Sequence, residues 1–116
     1  ITVMFAIGFN TFVGDIGDNL KQREQITILR VDEPQAPGPG RVQTTQAQTL
    51  NLRYPDGPRD AESLAVDPKN GDLILITKLR DRPVSEVFYL PSAAWDDPEQ
   101  QRLTAIAEIT CACITL

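Results

Sequence analysis

The sequence predicts an all-β protein made of antiparallel four-stranded meanders. Short runs of β-branched and aromatic residues alternate with clusters of Gly, Pro, Asn and Asp, and no long stretch has the period of an amphipathic helix. The chain also resembles itself: residues 12–15 match residues 75–78, and residues 28–31 match residues 87–90. Repeated units of about 40–50 residues with four strands each are typical of β-propeller blades. The pattern therefore predicts about two blades of a β-propeller.

The strands are expected in chain order, each bounded by turn-forming residues. They are residues 9–14, 25–31, 46–53, 61–66, 72–77, 85–90 and 103–109, with residues 1–8 as a worn innermost strand before them. Residues 67–71 read Asp-Pro-Lys-Asn-Gly and predict a hairpin turn, because Asn-Gly supplies the positive φ that such a turn needs. One helical turn is expected to begin near Ser92.

These strands divide the chain into two successive units of one truncated propeller domain. Residues 1–53 form a partial or degenerate blade, residues 54–110 a complete blade, and residues 111–116 the start of a further blade. Two blades leave both flat flanks exposed, and repeat units generally need about three neighbours to bury a continuous core. We therefore expect the remaining blades to be missing and the isolated chain to be unstable or sticky.

The composition excludes several classes of function. The net charge is −5, with 16 acidic and 11 basic residues, so a basic footprint for nucleic acid is not expected. The sequence has no histidine, which removes Ser-His-Asp and Cys-His catalysis and imidazole ligation of zinc. No apolar run of about 18 residues is present, so no membrane span is expected. Cys111 and Cys113 are interpreted as small apolar fillers.

The charged loops gather at one end of the predicted meanders, and a pair of acids stands among them. Asp60 and Glu62 lie two apart at the start of a strand, so their side chains are expected to point the same way, toward the mouth of the central channel. Paired carboxylates hold a hard cation such as Ca²⁺, or act as general acid and base. The alternative is that Asp60 caps the turn and Glu62 pairs with Arg59 or with a neighbouring blade.

Two further groups of residues at this end have both a functional and a structural interpretation. Asp15, Asp18 and Asn19 surround Gly17 with oxygen-bearing side chains that suit a cation, although Asx-rich turns are common without any metal.

Arg59 and Lys78 are candidates to bind an anionic substrate. Acids such as Glu86 are interspersed among the basic residues of the sequence. An equally good interpretation is therefore a solvated surface on which acidic and basic side chains form salt bridges.

Several segments together resemble a largely uncharacterised family of bacterial β-propeller proteins, often exported. These segments are residues 14–19, 28–34, 54–64, 66–68 and 71–78. Asp60-Ala61-Glu62 is similar to the innermost-strand motif of the phytase-like (esterase-like phytase) propellers, whose acids are taken to sit at a cation-bearing channel mouth. The resemblance implies a metal or catalytic role for Asp60 and Glu62, a weaker one for Asp15, Asp18 and Asn19, and a periplasmic or extracellular parent protein.

The function expected from these features is calcium-assisted hydrolysis of a phosphate or other anionic ester. Asp60 and Glu62 would be the catalytic and calcium-binding pair, and Arg59 and Lys78 would contact the substrate. A bound cation polarises an ester oxygen and lowers the pKa of an attacking water without histidine. The alternative is a non-catalytic propeller module that binds a protein, a glycan or a cell-wall component. A quinone-dependent dehydrogenase is a third possibility, although such chemistry would lack a histidine base here.

Overall fold

The structure, a computed structural model, consists of two four-stranded antiparallel sheets. It describes residues 10–18, 20, 22–32, 38–40, 46–78, 83–97 and 101–110, and the backbone of residues 2–7. The first sheet has the order β1-β2-β3-β4 and the second the order β5-β6-β7-β8. The strands are β1 Thr2–Ile7, β2 Asn10–Asp15, β3 Ile26–Asp32, β4 Ala47–Leu52, β5 Asp60–Val66, β6 Leu73–Lys78, β7 Val84–Leu90 and β8 Thr104–Thr110.

The all-β class and the two antiparallel meanders predicted from the sequence are confirmed. All seven predicted strands are present, and their first and last residues differ from the predicted ones by no more than one residue. Differences of this size are usual when strand limits are assigned from hydrogen bonds. The segment expected to be a worn innermost strand is β1, which pairs with β2 from Thr2↔Asp15 to Ile7↔Asn10. The predicted helical turn is a 3₁₀-helix at Ser92–Asp96.

The core lies between the two sheets, because each sheet turns one apolar face toward the other. Alternate residues of the middle strands are buried, as the two-residue period of a strand requires. The first sheet contributes Phe12, Ile26, Ile28, Leu50 and Leu52, and the second contributes Leu64, Val66, Leu73, Leu75, Phe88 and Leu90. Burial of these side chains is the main force that holds the sheets together.

Two backbone features fix how the sheets meet. The main contact between strands of different sheets joins β1 to β5, the first strand of each meander. At the far side, Arg53 after β4 accepts a hydrogen bond from the Leu103 N–H and donates one to the Gln101 carbonyl, both at 2.8 Å. The Arg53 backbone therefore clips the end of the first sheet to the segment before β8.

The 3₁₀-helix of the second unit packs against the first sheet through one aromatic side chain. The Trp95 ring lies 6.2 Å from the Phe12 ring, centroid to centroid. The Arg30 guanidinium lies 4.4 Å from the Trp95 ring centroid, a cation–π distance. Trp95 therefore closes one margin of the core between the sheets.

The turn between β5 and β6 has the geometry that its sequence predicts. The Gly71 N–H donates to the Asp67 carbonyl at 2.8 Å, and the Asp67 N–H donates to the Asp72 carbonyl at 2.8 Å. Gly71 has a φ of 79°, in the left-handed region where a side chain is disfavoured. The Asn70 side chain accepts from the Asp72 N–H at 2.9 Å, so it supports its own turn.

We predict that Gly71→Ala destabilises the protein by about 1–2 kcal/mol, the cost of placing an L-residue in the left-handed region. The matched control is Gly38→Ala, because Gly38 has no positive φ and a Cβ there meets nothing within 4 Å. Urea denaturation measures both variants. Equal midpoints for the two variants would contradict the prediction.

Asp72 joins this turn to β7 and to the 3₁₀-helix. Its carboxylate accepts a hydrogen bond from the Tyr89 hydroxyl and another from the Ser92 N–H at 2.9 Å. The Tyr89 hydrogen bond, and then the Ser92 backbone hydrogen bond, hold the pKa of the Asp72 carboxyl below its ordinary value of 3.8. The same contact with Asp72 raises the pKa of the Tyr89 phenol above 10.0.

These shifts predict a pH dependence of stability. Because the pKa of Asp72 is depressed on folding, its contribution is present above about pH 4 and is lost as the pH falls through the folded-state pKa. Asp72→Asn removes this titration, so the variant should lose less stability than the wild type between about pH 6 and about pH 2.5. Urea midpoints at both pH values test this, and an equal loss in both proteins would refute it.

Candidate functional site

The loops at one end of the sheets converge, as the meander topology predicts. The β2–β3 loop meets the first residue of β5, because the Asp18 N–H donates to Asp60 Oδ1 at 3.0 Å. Asp60 is also the register partner of Lys78 at the end of β6. Arg59, just before β5, reaches Glu86 on β7. Elements of both sheets therefore build one charged surface, which we call the loop end.

Asp18 organises the β2–β3 loop with its side chain. Oδ1 accepts a hydrogen bond from the Gln22 N–H at 2.9 Å, and Oδ2 accepts one from the Arg23 N–H at 2.7 Å. The side chain is buried, with 7% of the residue exposed. Asp18 therefore has a structural role in this loop, since its carboxylate accepts from backbone N–H groups four and five residues further on.

Asp15 lies at the edge of the same loop in an exposed ion pair. The Arg23 guanidinium donates to Asp15 Oδ1 at 3.0 Å and to Oδ2 at 3.3 Å, and it also donates to the Gly17 carbonyl at 3.0 Å. Asp15 and Asp18 therefore both serve to fold the loop around Arg23. Asn19, the third candidate ligand of this loop, lies outside the described residues.

The two-residue alternation from which Asp60 and Glu62 were expected to point the same way is interrupted between these residues. Asp60 is fully buried, whereas Glu62 is exposed. The pairing of β5 with β6 shifts register between Ala61 and Ser63, which makes Glu62 the extra residue of a β-bulge. A bulge breaks the two-residue alternation of side chains. The two carboxylates therefore occupy different environments, one buried and one exposed.

Arg59 is bound within the protein and does not pair with Glu62. Its Nε lies 2.6 Å from Glu86 Oε1, and the two side chains are only 20% and 16% exposed. The other end of the guanidinium donates to the carbonyls of Gly57 and Pro58, at 3.0 and 3.2 Å. The Arg59–Glu86 ion pair thus fixes the β4–β5 loop against β7. The other predicted substrate contact, Lys78, is exposed at the end of β6.

Tyr54 is a further residue of the loop end, between β4 and β5. Its ring contacts Phe88 edge to face at 4.9 Å, and the residue is 7% exposed. Burial raises the pKa of the Tyr54 phenol far above its ordinary value, an effect opposed by Arg59. The hydroxyl therefore stays protonated, and it finds no hydrogen-bond partner among the described residues. No sequence signal distinguished it from an ordinary core tyrosine.

Three of the four described acids of the predicted calcium site have hydrogen-bonding partners within the protein. Calcium takes about 6–8 oxygen ligands that converge on one point. Both Asp18 oxygens and one Asp60 oxygen accept backbone N–H groups, the Asp15 carboxylate is bound by Arg23, and Glu62 lies apart. Within the described ranges, no group of three or more Asp, Glu or Cys side chains is placed to hold a metal ion.

Comparison of the chain with protein-family models, with curated proteins and with solved structures finds no match. The part of the chain that the structure describes contains no helix that is long and apolar enough to cross a membrane.

We predict that Asp18→Ala lowers the free energy of unfolding by about 2–3 kcal/mol, because it leaves two backbone N–H groups of the loop without their acceptor. Asp15→Ala is the matched control on the same loop, and it should cost less than about 1 kcal/mol because its ion pair is exposed. Urea denaturation measures both. Similar losses would show that Asp18 does not organise the loop.

Proposed function

We propose that the chain forms two adjacent blades of a β-propeller and acts as a non-catalytic binding module. The architecture supports the blades, because each unit is a four-stranded antiparallel meander and the first strands of the two units adjoin. A propeller places these first strands around its central axis. The first sheet then provides residues up to Leu52, and the second begins at Asp60.

The proposal rests on the contacts that the loop-end acids and Arg59 make within the protein. Asp18 holds its own loop, Asp60 accepts the Asp18 N–H from the other sheet, and Glu86 binds Arg59. These contacts assign structural work to the groups that hydrolysis would need for a cation and for an anionic ester. A rigid surface made in this way is suited to recognition, because little order has to be gained on binding.

The groups that the loop end offers to solvent define the chemistry of a partner. Asp15, Asp56, Glu62 and Lys78 are exposed at this end of the strands. Among these four described residues three are acids and one is a lysine, and they are spread along the sequence and across both sheets. Such a surface fits a polar protein or a glycan that presents amines or hydroxyl groups.

Calcium-assisted ester hydrolysis, expected from the resemblance of Asp60-Ala61-Glu62, is the competing proposal. It requires Asp60 and Glu62 to act together on one cation, with Arg59 and Lys78 at the substrate. It therefore predicts that both acids matter equally for metal affinity and for hydrolysis. The binding module predicts that they differ, because one is a buried anchor and the other an exposed bulge residue.

The test compares Asp60→Ala with Glu62→Ala. We expect Asp60→Ala to cost about 1–3 kcal/mol of unfolding free energy, because the Asp18 N–H loses its acceptor, and Glu62→Ala to change it by less than about 0.5 kcal/mol. Calcium titration calorimetry and hydrolysis of p-nitrophenyl phosphate are measured on the same proteins. Calcium-dependent hydrolysis by the wild type that Glu62→Ala abolishes without loss of stability would overturn the proposal in favour of the hydrolase.

A further inference from the structure

The outward face of the second sheet carries no charge in its two central rows, and most of the residues in these rows are apolar. These rows alternate with the buried Leu64, Leu75 and Phe88, so they point away from the first sheet. One row is Ser63, Ile76, Val87 and Ala107, and the other is Ala65, Ile74, Tyr89 and Thr104. Ile109, on the same side of β8, is 46% exposed. An apolar sheet face of this kind is normally covered by another sheet.

In the internal repeat, the outward face of the second sheet corresponds to the face of the first sheet that is buried between the sheets. The internal repeat matches Ile28 with Val87, and the strand registers place Gly14 opposite Ile28 and Ile76 opposite Val87. These registers make Gly14 correspond to Ile76. The sequence alignment of residues 12–15 with 75–78 instead pairs Gly14 with Thr77, one residue further along. The row of Ile28 is covered by the second sheet, whereas the row of Val87 lies on the outward face, where Val87 itself is 8% exposed, Ile76 is half-buried and Ala107 is exposed. If Val87 corresponds to Ile28, the row of Val87 is expected to pack against a further sheet of the same kind.

The chain itself carries a matching surface on the outward face of its first sheet. Its central rows are Val13, Leu29 and Thr49, and Thr11, Val31 and Ala47. These residues are uncharged, and they are half-buried or exposed. The face is thus free of the buried charges that would oppose packing against a second sheet.

Charges at the rims of the two faces are complementary. Lys78 ends β6 on the outward side of the second sheet, and Asp15 ends β2 on the outward side of the first sheet. Both residues lie at the loop end, so stacking in the same sense as the two sheets of one chain brings them to the same margin. Asp15 is 58% exposed beside Arg23 and stays accessible to a second cation. Opposite charges at a rim favour one register of association.

We propose that the outward face of the second sheet in one copy packs on the outward face of the first sheet in another copy. This head-to-tail contact is heterologous, so it propagates until the copies close into a ring. Two sheets per copy and about 4–8 blades per propeller give rings of about two to four copies. The inference rests on the proposed blade architecture and adds to it the partner that completes the propeller.

The test uses sedimentation velocity with one variant on each face. Ala65→Arg and Thr49→Arg alter exposed positions of the second and first sheets, so neither disturbs the core. The wild type should sediment as a closed species of about two to four chain masses, and each variant should sediment as a monomer. Leu20→Arg is the control, because Leu20 is 74% exposed in the β2–β3 loop and belongs to neither face. It should leave the ring intact.

Mixing the two variants gives the sharpest outcome. Each retains one intact face, so an equimolar mixture of Ala65→Arg and Thr49→Arg should form a 1:1 dimer and stop there. A monomeric wild type, a ring unaffected by Ala65→Arg, or an assembly that Thr49→Arg leaves intact would each overturn the inference. A monomer without calcium-dependent hydrolysis would leave the binding module standing, whereas a ring with such hydrolysis would refute the binding module and retain the assembly.

Discussion

The hydrogen bond from the Asp18 N–H to the buried Asp60 carboxylate is the contact on which the loop end depends. It links residues 42 positions apart and belongs to both sheets at once. Asp60 is fully buried, and a buried carboxylate is tolerated only when polar groups replace its hydration. The position of the β2–β3 loop is therefore set by the second sheet. Arg23 of the same loop in turn donates a hydrogen bond to the Asp15 carboxylate and so holds Asp15 in place.

Much of the fold could be predicted from the sequence because strand signals are local. Alternating apolar residues and the Asn-Gly turn predict β2 to β8 within a residue or two, and the pairing of neighbours follows from short connections. These local signals were sufficient to predict the all-β class. The segment expected as a worn innermost strand forms β1, which pairs with β2 along its whole length.

The chemistry of the candidate site could not be predicted in the same way, because it depends on contacts distant in sequence. The β-bulge at Glu62 arises from the register of β5 against β6, and two carboxylates expected to act together are separated by it. The partner of Arg59 is Glu86, 27 residues away, rather than the nearer Glu62. Spacing along a strand thus placed these residues near one another at the loop end but did not determine their contacts.

The Arg53 backbone clip has a consequence for how the protein folds. Its hydrogen bonds join the end of the first meander to Gln101 and Leu103, nearly the last segment before β8. The clip can form only when most of the chain is already in place, and such long-range closure slows folding and ties both meanders into one cooperative transition. Neither meander is then expected to mature as an independent unit, although each has its own complete set of four strands.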